Sequence, residues 1–184
     1  NEIQTIDNAH WQRKHLAYLR DLYSGSPFRD EILEHIMPVF TKNYQFLFDA
    51  ARDSIFLCMD LLDIHTETIT QSSVNWRRNC GDEKNADARR SNDVLAICQA
   101  VGATAYMTGA GASLRFLNAE QFAESNIPVI VQSYQCPRYP QMFSKEFIPN
   151  ISALDLLFNC GIEESRRIFW ENVKKGCEFD GIEG

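Results

Sequence analysis

The sequence has no long apolar run. No stretch approaches the roughly 18 apolar residues of a membrane-crossing helix, so no membrane partner is expected. It has no excess of positive charge either: 18 lysines and arginines stand against 25 aspartates and glutamates, for a formal charge of −7. That balance argues against a general nucleic-acid or anionic-lipid surface and leaves only local basic patches, at Trp76–Arg78 and Arg89–Arg90. The four histidines are scattered. His10 and His15, five apart, would point about 140° from each other on a helix that turns about 100° per residue. His35 and His65 stand alone, so a structural metal is not expected. Six cysteines, Cys58, Cys80, Cys98, Cys136, Cys160 and Cys177, include no C-x-x-C pair. Cys58 and Cys98 sit in apolar periodic segments, where inert core thiols are found. With 45% apolar residues the chain has material for a core without a disulfide framework, which reads as a reduced, cytoplasmic protein. There is no internal repeat and no low-complexity run. No signal peptide is visible in the residues given, and the chain begins at Asn1, so a preceding N-terminal segment is expected.

What is present is helical at first. Trp11, His15, Tyr18, Leu19 and Leu22 recur at helical spacing, and Gly25-Ser26-Pro27 stops that helix. Phe28, Ile32 and Ile36 mark a second helix that Pro38 ends or kinks. Tyr44, Leu47, Phe48, Ala51, Ile55, Cys58, Met59 and Leu62 form the longest apolar stripe. After about residue 65 the pattern changes. "TITQSSV" predicts a first strand, and "RRNCGDEKNADARRS" a mobile loop entering a helix with Val94, Leu95, Ile97, Cys98 and Val101, capped by Gly102. "TAYMTG" predicts a second strand, and Asn118 to Gln121 a capping-box helix start. "IPVIVQSY" predicts a third strand, buried on both faces. A helix from about Ile151 to Cys160, closed by Gly161, and a last one from about Glu163 to Lys175 complete the chain. The expectation is a single α/β domain: a helical part at about 1–65, and an α/β part at about 66–184 with a small, mostly parallel sheet of about three strands on which the helices pack.

Ligands of such sheets gather at the C-terminal ends of the strands. Two loops are expected there. In "TGAGAS", the amides around Thr108, Gly109, Gly111 and Ser113 would cradle an anion or a sugar. The loop lacks the Gly-Lys-Ser/Thr of a P-loop and does not complete G-x-G-x-x-G. In "YQCPRYPQ", Tyr139 and Gln141 either bond a polar substrate or fix the turn between Pro137 and Pro140. Cys136 is either an acyl-accepting thiolate or a half-buried thiol filling the turn. His15 is either a proton-transfer group or a satisfied residue on an apolar stripe. Asp155 is either a general base or, at the Ser152-x-x-Asp155 spacing, a capping carboxylate. Asn159 shares a helical face with both and would line a pocket or hold the preceding loop.

"WQRKHL", "AICQAVGATAYMTGAGAS", "YQCPRYPQ" and above all "FIPNISALDLLFNCG", in that order, resemble the WbqC-like family of bacteria. The resemblance implies a setting in surface-polysaccharide and secondary-metabolite biosynthesis, and a proposed transfer of an amino acid or related acyl group to an amino sugar. It also exposes departures. Cys136 stands where the family usually has a histidine, Ala110 where a proline is more usual, and a Gln-Pro and Asn-Arg block near the N-terminus is absent. The expected function is an acyl or aminoacyl transferase, with a small-molecule or carrier-bound acyl donor and an amino acceptor as partners. Cys136 or His15 would act where the two loops meet, beneath the first helix. The alternatives are a non-catalytic binding or scaffold subunit and, ranked lower for want of an Asp-x-Asp signature, glycosyl transfer. No pattern names a cofactor, and homo-oligomerisation is left open.

Overall fold

The computed structural model describes residues 3–5, 10–77, 85–132 and 134–179. Arg78, Cys80 and the remainder of the expected mobile loop through residue 84 lie outside the described residues, as do Ser133 and the side chains of His10 and Cys177. In chain order the elements are helices α1 (His10–Leu22), α2 (Arg29–Thr41), α3 (Leu47–Leu61) and α4 (Ala86–Ala100), strand β1 (Tyr106–Gly109), helix α5 (Ala119–Glu124), strand β2 (Val129–Gln132) and helix α6 (Ala153–Phe179). Short 3-10 turns occupy Gln71–Ser73 and Ala112–Arg115. The chain gathers into two compact units, residues 1–65 with 136–184, and residues 66–135.

The first unit is helical. Helix α2 packs against α1, α3 and α6 and buries Ile32, Leu33, Ile36 and Val39. Its first turn carries Asp30 and Glu31, which favour the positive end of the helix dipole. Around α2, Leu16, Tyr23, Leu61, Leu62, Leu157 and Phe158 close the core. Each fully buried aliphatic or Phe side chain there contributes about 1.5–3 kcal/mol. Tyr23 stacks on Phe158, ring centroids 4.2 Å apart. Helix α6 breaks at Gly161, whose φ of +74° is a left-handed conformation that glycine adopts without penalty. The Phe28 ring lies so close that a Cβ on Gly161 would meet it at 2.7 Å. The break thus falls where the sequence predicts it.

One reading of these helices is narrowed and one is corrected. Of the two outcomes expected at Pro38, an end to the helix is excluded, because α2 runs on to Thr41. The long stripe is not the buried face of α3. Leu47 is 51% and Ile55 57% exposed, whereas Ala50 and Leu61 are buried. Tyr44 is buried too, but ahead of the helix. Apolar spacing alone cannot choose between two adjacent faces when both carry large residues.

The second unit is built around Leu95, Cys98, Phe122 and Ile127, with Val94, Tyr106 and Val129 packed on them. Asn85 caps α4 by accepting from the Asp87 N–H at 2.9 Å. Gly102 ends α4 at φ +67°, and the Ala103 N–H returns to the Cys98 carbonyl, a left-handed cap of the Schellman type. Asn118 caps α5 from the Gln121 N–H. Strands β1 and β2 pair in parallel, Tyr106 opposite Val129 through Gly109 opposite Gln132. Among the described residues the sheet has these two strands. The expected "TITQSSV" strand is instead irregular chain running into the Gln71–Ser73 turn, with Ile69 57% exposed. β-branched residues favour a pleated, half-buried surface, and this segment has no such surface to join. Strand β2 is not buried on both faces either, since Val131 is 40% exposed.

Candidate functional site

Four of the residues singled out in the sequence meet in the first unit. The Asp155 side chain lies on the first turn of α6 and is fully buried. Its Oδ1 accepts from the Tyr23 hydroxyl at 2.8 Å and from Asn159 Nδ2 at 3.1 Å. Its Oδ2 accepts from the Tyr139 hydroxyl at 2.9 Å and from Gln141 Nε2 at 3.0 Å. A carboxylate has about four lone-pair sites, and here four neutral donors take them. Burying a carboxylate with no cation beside it is costly unless it is fully hydrogen-bonded. The capping role expected for Asp155 is therefore not what this carboxylate does. Ser152 serves the helix start instead, its Oγ accepting from the Leu154 N–H at 3.2 Å.

This carboxylate organises a loop. Gln141 donates through Nε2 to the Ile148 carbonyl at 2.9 Å and accepts at Oε1 from the Ile148 N–H at 2.8 Å. Asn159 Oδ1 accepts from the Met142 N–H at 2.9 Å. At the base of the loop the Asn150 N–H points to Cys136 Sγ at 3.3 Å, and Asn150 itself is left-handed at φ +59°. Cys136 is half-buried, and the Phe147 ring meets Tyr139 edge-on and Arg138 in a cation–π contact. Segment 136–150 is thus closed on itself and pinned to α6, as in the compact loops that often carry function.

The electrostatics follow from that burial. Desolvation first, then the hydrogen bond to Asp155, push the phenols of Tyr23 and Tyr139 well above the usual tyrosine range. Both remain neutral donors at physiological pH. Burial pushes the Cys160 thiol up to about 11, helped by the charges of Glu164 and Asp155, and burial also raises Cys58 and Cys98. Those three thiols are kept from ionising.

His15 takes no part in this cluster. It is exposed on α1, its Nδ1 is 2.7 Å from the Trp11 carbonyl, and its ring meets the Trp11 ring edge-on. A carbonyl only accepts, so Nδ1 carries the proton and Nε2 of the neutral ring is an acceptor. Thr108, Gly109, Gly111 and Ser113 belong to the other unit. Thr108 is buried in β1, Ser113 is half-buried, and both glycines are exposed. A Cβ at Gly109 or Gly111 would meet nothing within 4 Å, and neither has a positive φ. Glycine is thus not demanded here by a close approach or a left-handed turn.

Sequence reasoning missed Tyr23 and Asn150. Tyr23 lies just past the end of α1 and is buried with Leu16, outside the stripe through Tyr18 and Leu22 that the spacing suggests; nothing local marks its hydroxyl as a partner of a residue 132 positions away. A separate surface hollow of about 580 Å³ lies along α1 and α2 and shares no residue with the Asp155 cluster. Among the described residues no group of three or more His, Cys, Asp or Glu is arranged to hold a metal ion, and no helix is long and apolar enough to cross a membrane.

One unit is helical and clamps a proline-flanked loop over α6, and the other carries a small parallel sheet. The profile of the WbqC-like protein family matches residues 1–167. The chain belongs to that family. Among curated proteins it is similar to the uncharacterized protein Rv1507c of Mycobacterium tuberculosis, 26% identical over 159 residues. That alignment covers 86% of this chain and 64% of the relative, so the chain spans somewhat under two thirds of the relative's length. No solved structure matches it.

Proposed function

We propose that the protein is a biosynthetic transferase that moves an acyl or aminoacyl group onto an amine, through a thioester on Cys136. The observation that supports this reading most is the Asp155 cluster. It spends a fully buried carboxylate on fixing Tyr139 and Gln141 in the loop that begins at Cys136. A connector does not need such an arrangement, whereas a reacting group needs a fixed support. Asp155 acts in this reading as a positioning residue, because its lone pairs are already occupied. Sγ would attack the donor carbonyl, the acyl–sulfur bond would form, and the leaving group would depart with its bonding pair and take up the thiol proton. The acceptor amine would then attack the thioester, and its proton would pass to the released thiolate. His15, with an exposed Nε2, is the proposed proton-transfer group. The setting that the resemblance implies makes the acceptor an amino sugar or a small metabolite, and the donor a small-molecule or carrier-bound acyl group.

The test is turnover with an amino-sugar acceptor and a panel of activated acyl donors. Cys136→Ala is expected to abolish transfer, and His15→Ala to slow it by about 10²-fold or more. Full turnover in both variants removes the proposed chemistry. A second reading, a non-catalytic binding or scaffold subunit, is favoured by one feature. The clamped loop and the residues after it expose Met142 (47%), Phe143 (43%), Ile148 (47%) and Ile151 (44%), more apolar surface than a simple connector needs.

A further inference from the structure

The apolar stripe of α3 that turns away from the core is open at the surface. By the turn of about 100° per residue, Leu47, Phe48, Ala51, Ile55, Cys58 and Met59 fall within an arc of about 120°. None of the six is buried, Leu47 and Ile55 are more than half exposed, and Phe56 beside them is 45% exposed. A helix normally turns such an arc to the core. Here the core takes the opposite side, through Ala50 and Leu61. Asp49, Asp53 and Asp60 run along one edge of the arc, so α3 holds three aspartates against one arginine, Arg52. Arg52 and Lys42 pair with the first two, whereas Asp60 has no ion pair among the described residues.

The same unit carries one helix of the opposite kind. Helix α1 has Arg13, Lys14 and Arg20 against a single acid, Asp21, in a chain whose net charge is −7. Tyr18 is 74% and Leu22 42% exposed on it, in line with Lys14 at i, i+4 and i+8. Lys14 and Arg20 make no ion pair among the described residues. Helix α2 is acidic as well, yet it has no large apolar side chain exposed. The two open faces also match in length. Leu47 to Ile55 and Lys14 to Leu22 each span about 12 Å, at a rise of about 1.5 Å per residue.

From these faces we infer that the chain is its own partner. Helix α1 of one copy lies on the apolar face of α3 in a second copy, and the reciprocal contact closes a two-fold dimer. Tyr18 and Leu22 cover the α3 stripe, and the basic side chains of α1 face the aspartates along its edge. Two α3 faces laid on one another would bring two acidic helices together, and two α1 faces would gather two basic ones. Only the crossed arrangement joins apolar faces of opposite charge. Association needs no turnover at Cys136, so the inference stands apart from the transferase reading.

The experiment is sedimentation equilibrium of the full chain from about 1 to 500 μM. The average mass is expected to rise from 21.1 kDa toward twice that value. Ile55→Glu and Tyr18→Glu each put a charge into the contact, and each is expected to weaken association by about 100-fold. Both positions are more than half exposed in the single chain, so neither variant should lower the melting temperature at low concentration. Lys14→Glu should weaken association by about tenfold, and Asp21→Lys, which makes α1 more basic, should tighten it by about threefold. A chain that stays at 21.1 kDa throughout overturns the inference. So does a dimer that Ile55→Glu leaves intact. A dimer broken by Ile55→Glu but not by Tyr18→Glu or Lys14→Glu overturns it too, since α3 would then have another occupant.

Discussion

The two units spend polarity in opposite ways. The first places a carboxylate in its interior, surrounds it with four donors from three separate segments, and uses it to hold a loop. The second has a core of four buried apolar residues and leaves its glycine loop at the surface, with open space around both glycines. Both loops attract attention in the sequence for the same reason: they are small-residue or proline-rich segments after an apolar run. Only one is held by buried chemistry. The difference teaches that the informative signal is the cost of a feature, not its composition. An exposed glycine costs the fold little. A buried, uncompensated charge costs several kcal/mol and persists only where many hydrogen bonds hold it.

Substitutions sharpen this contrast, beginning with the largest. Asp155→Ala removes the charge and strands buried donors, and should lower unfolding free energy by about 3–5 kcal/mol in chemical denaturation. Gly161→Ala should cost about 2–4 kcal/mol, since it adds left-handed strain and a clash with Phe28. Tyr23→Phe should cost about 1–3 kcal/mol and also change the alkaline limb of stability. The raised phenols contribute stability that is complete below the ordinary tyrosine value near 10, and it is lost as pH climbs through the shifted values. Melting temperature should therefore fall above about pH 10 in the wild type, and less steeply in Tyr23→Phe and Tyr139→Phe. Gly109→Ala and Gly111→Ala in the other unit should stay within about 0.5 kcal/mol. Losses as large as that of Gly161→Ala would erase the contrast. Ser165→Ala should be neutral or stabilising, by up to about 1 kcal/mol. Its buried hydroxyl has no partner, and the carbonyl one turn earlier belongs to Gly161, which leaves the helical conformation.

Local rules made much of this legible. The break at Gly161, the left-handed cap at Gly102 and the Asn118 cap depend only on neighbours in sequence, and the structure has all three. What was illegible depends on partners. "TITQSSV" has the residues of a strand, but a strand exists only where another strand accepts its hydrogen bonds. The buried face of α3 is chosen by α2 and α6, so the stripe through Leu47 and Ile55 pointed to the wrong side. For the candidate site, Tyr139, Gln141, Asp155 and Asn159 stood out by type and position. That they share one carboxylate did not, because Tyr23 completes the set from the far end of the first unit's sequence.

The central claim is that the clamp exists to present Cys136 for acyl transfer. Intact-mass and peptide-mapped mass spectrometry of the chain incubated with activated acyl donors tests it most directly. The account predicts a single adduct on Cys136, formed more slowly in Asp155→Asn and discharged on addition of an amine. No adduct with any donor, or one shared equally by Cys136, Cys58 and Cys98, would contradict it.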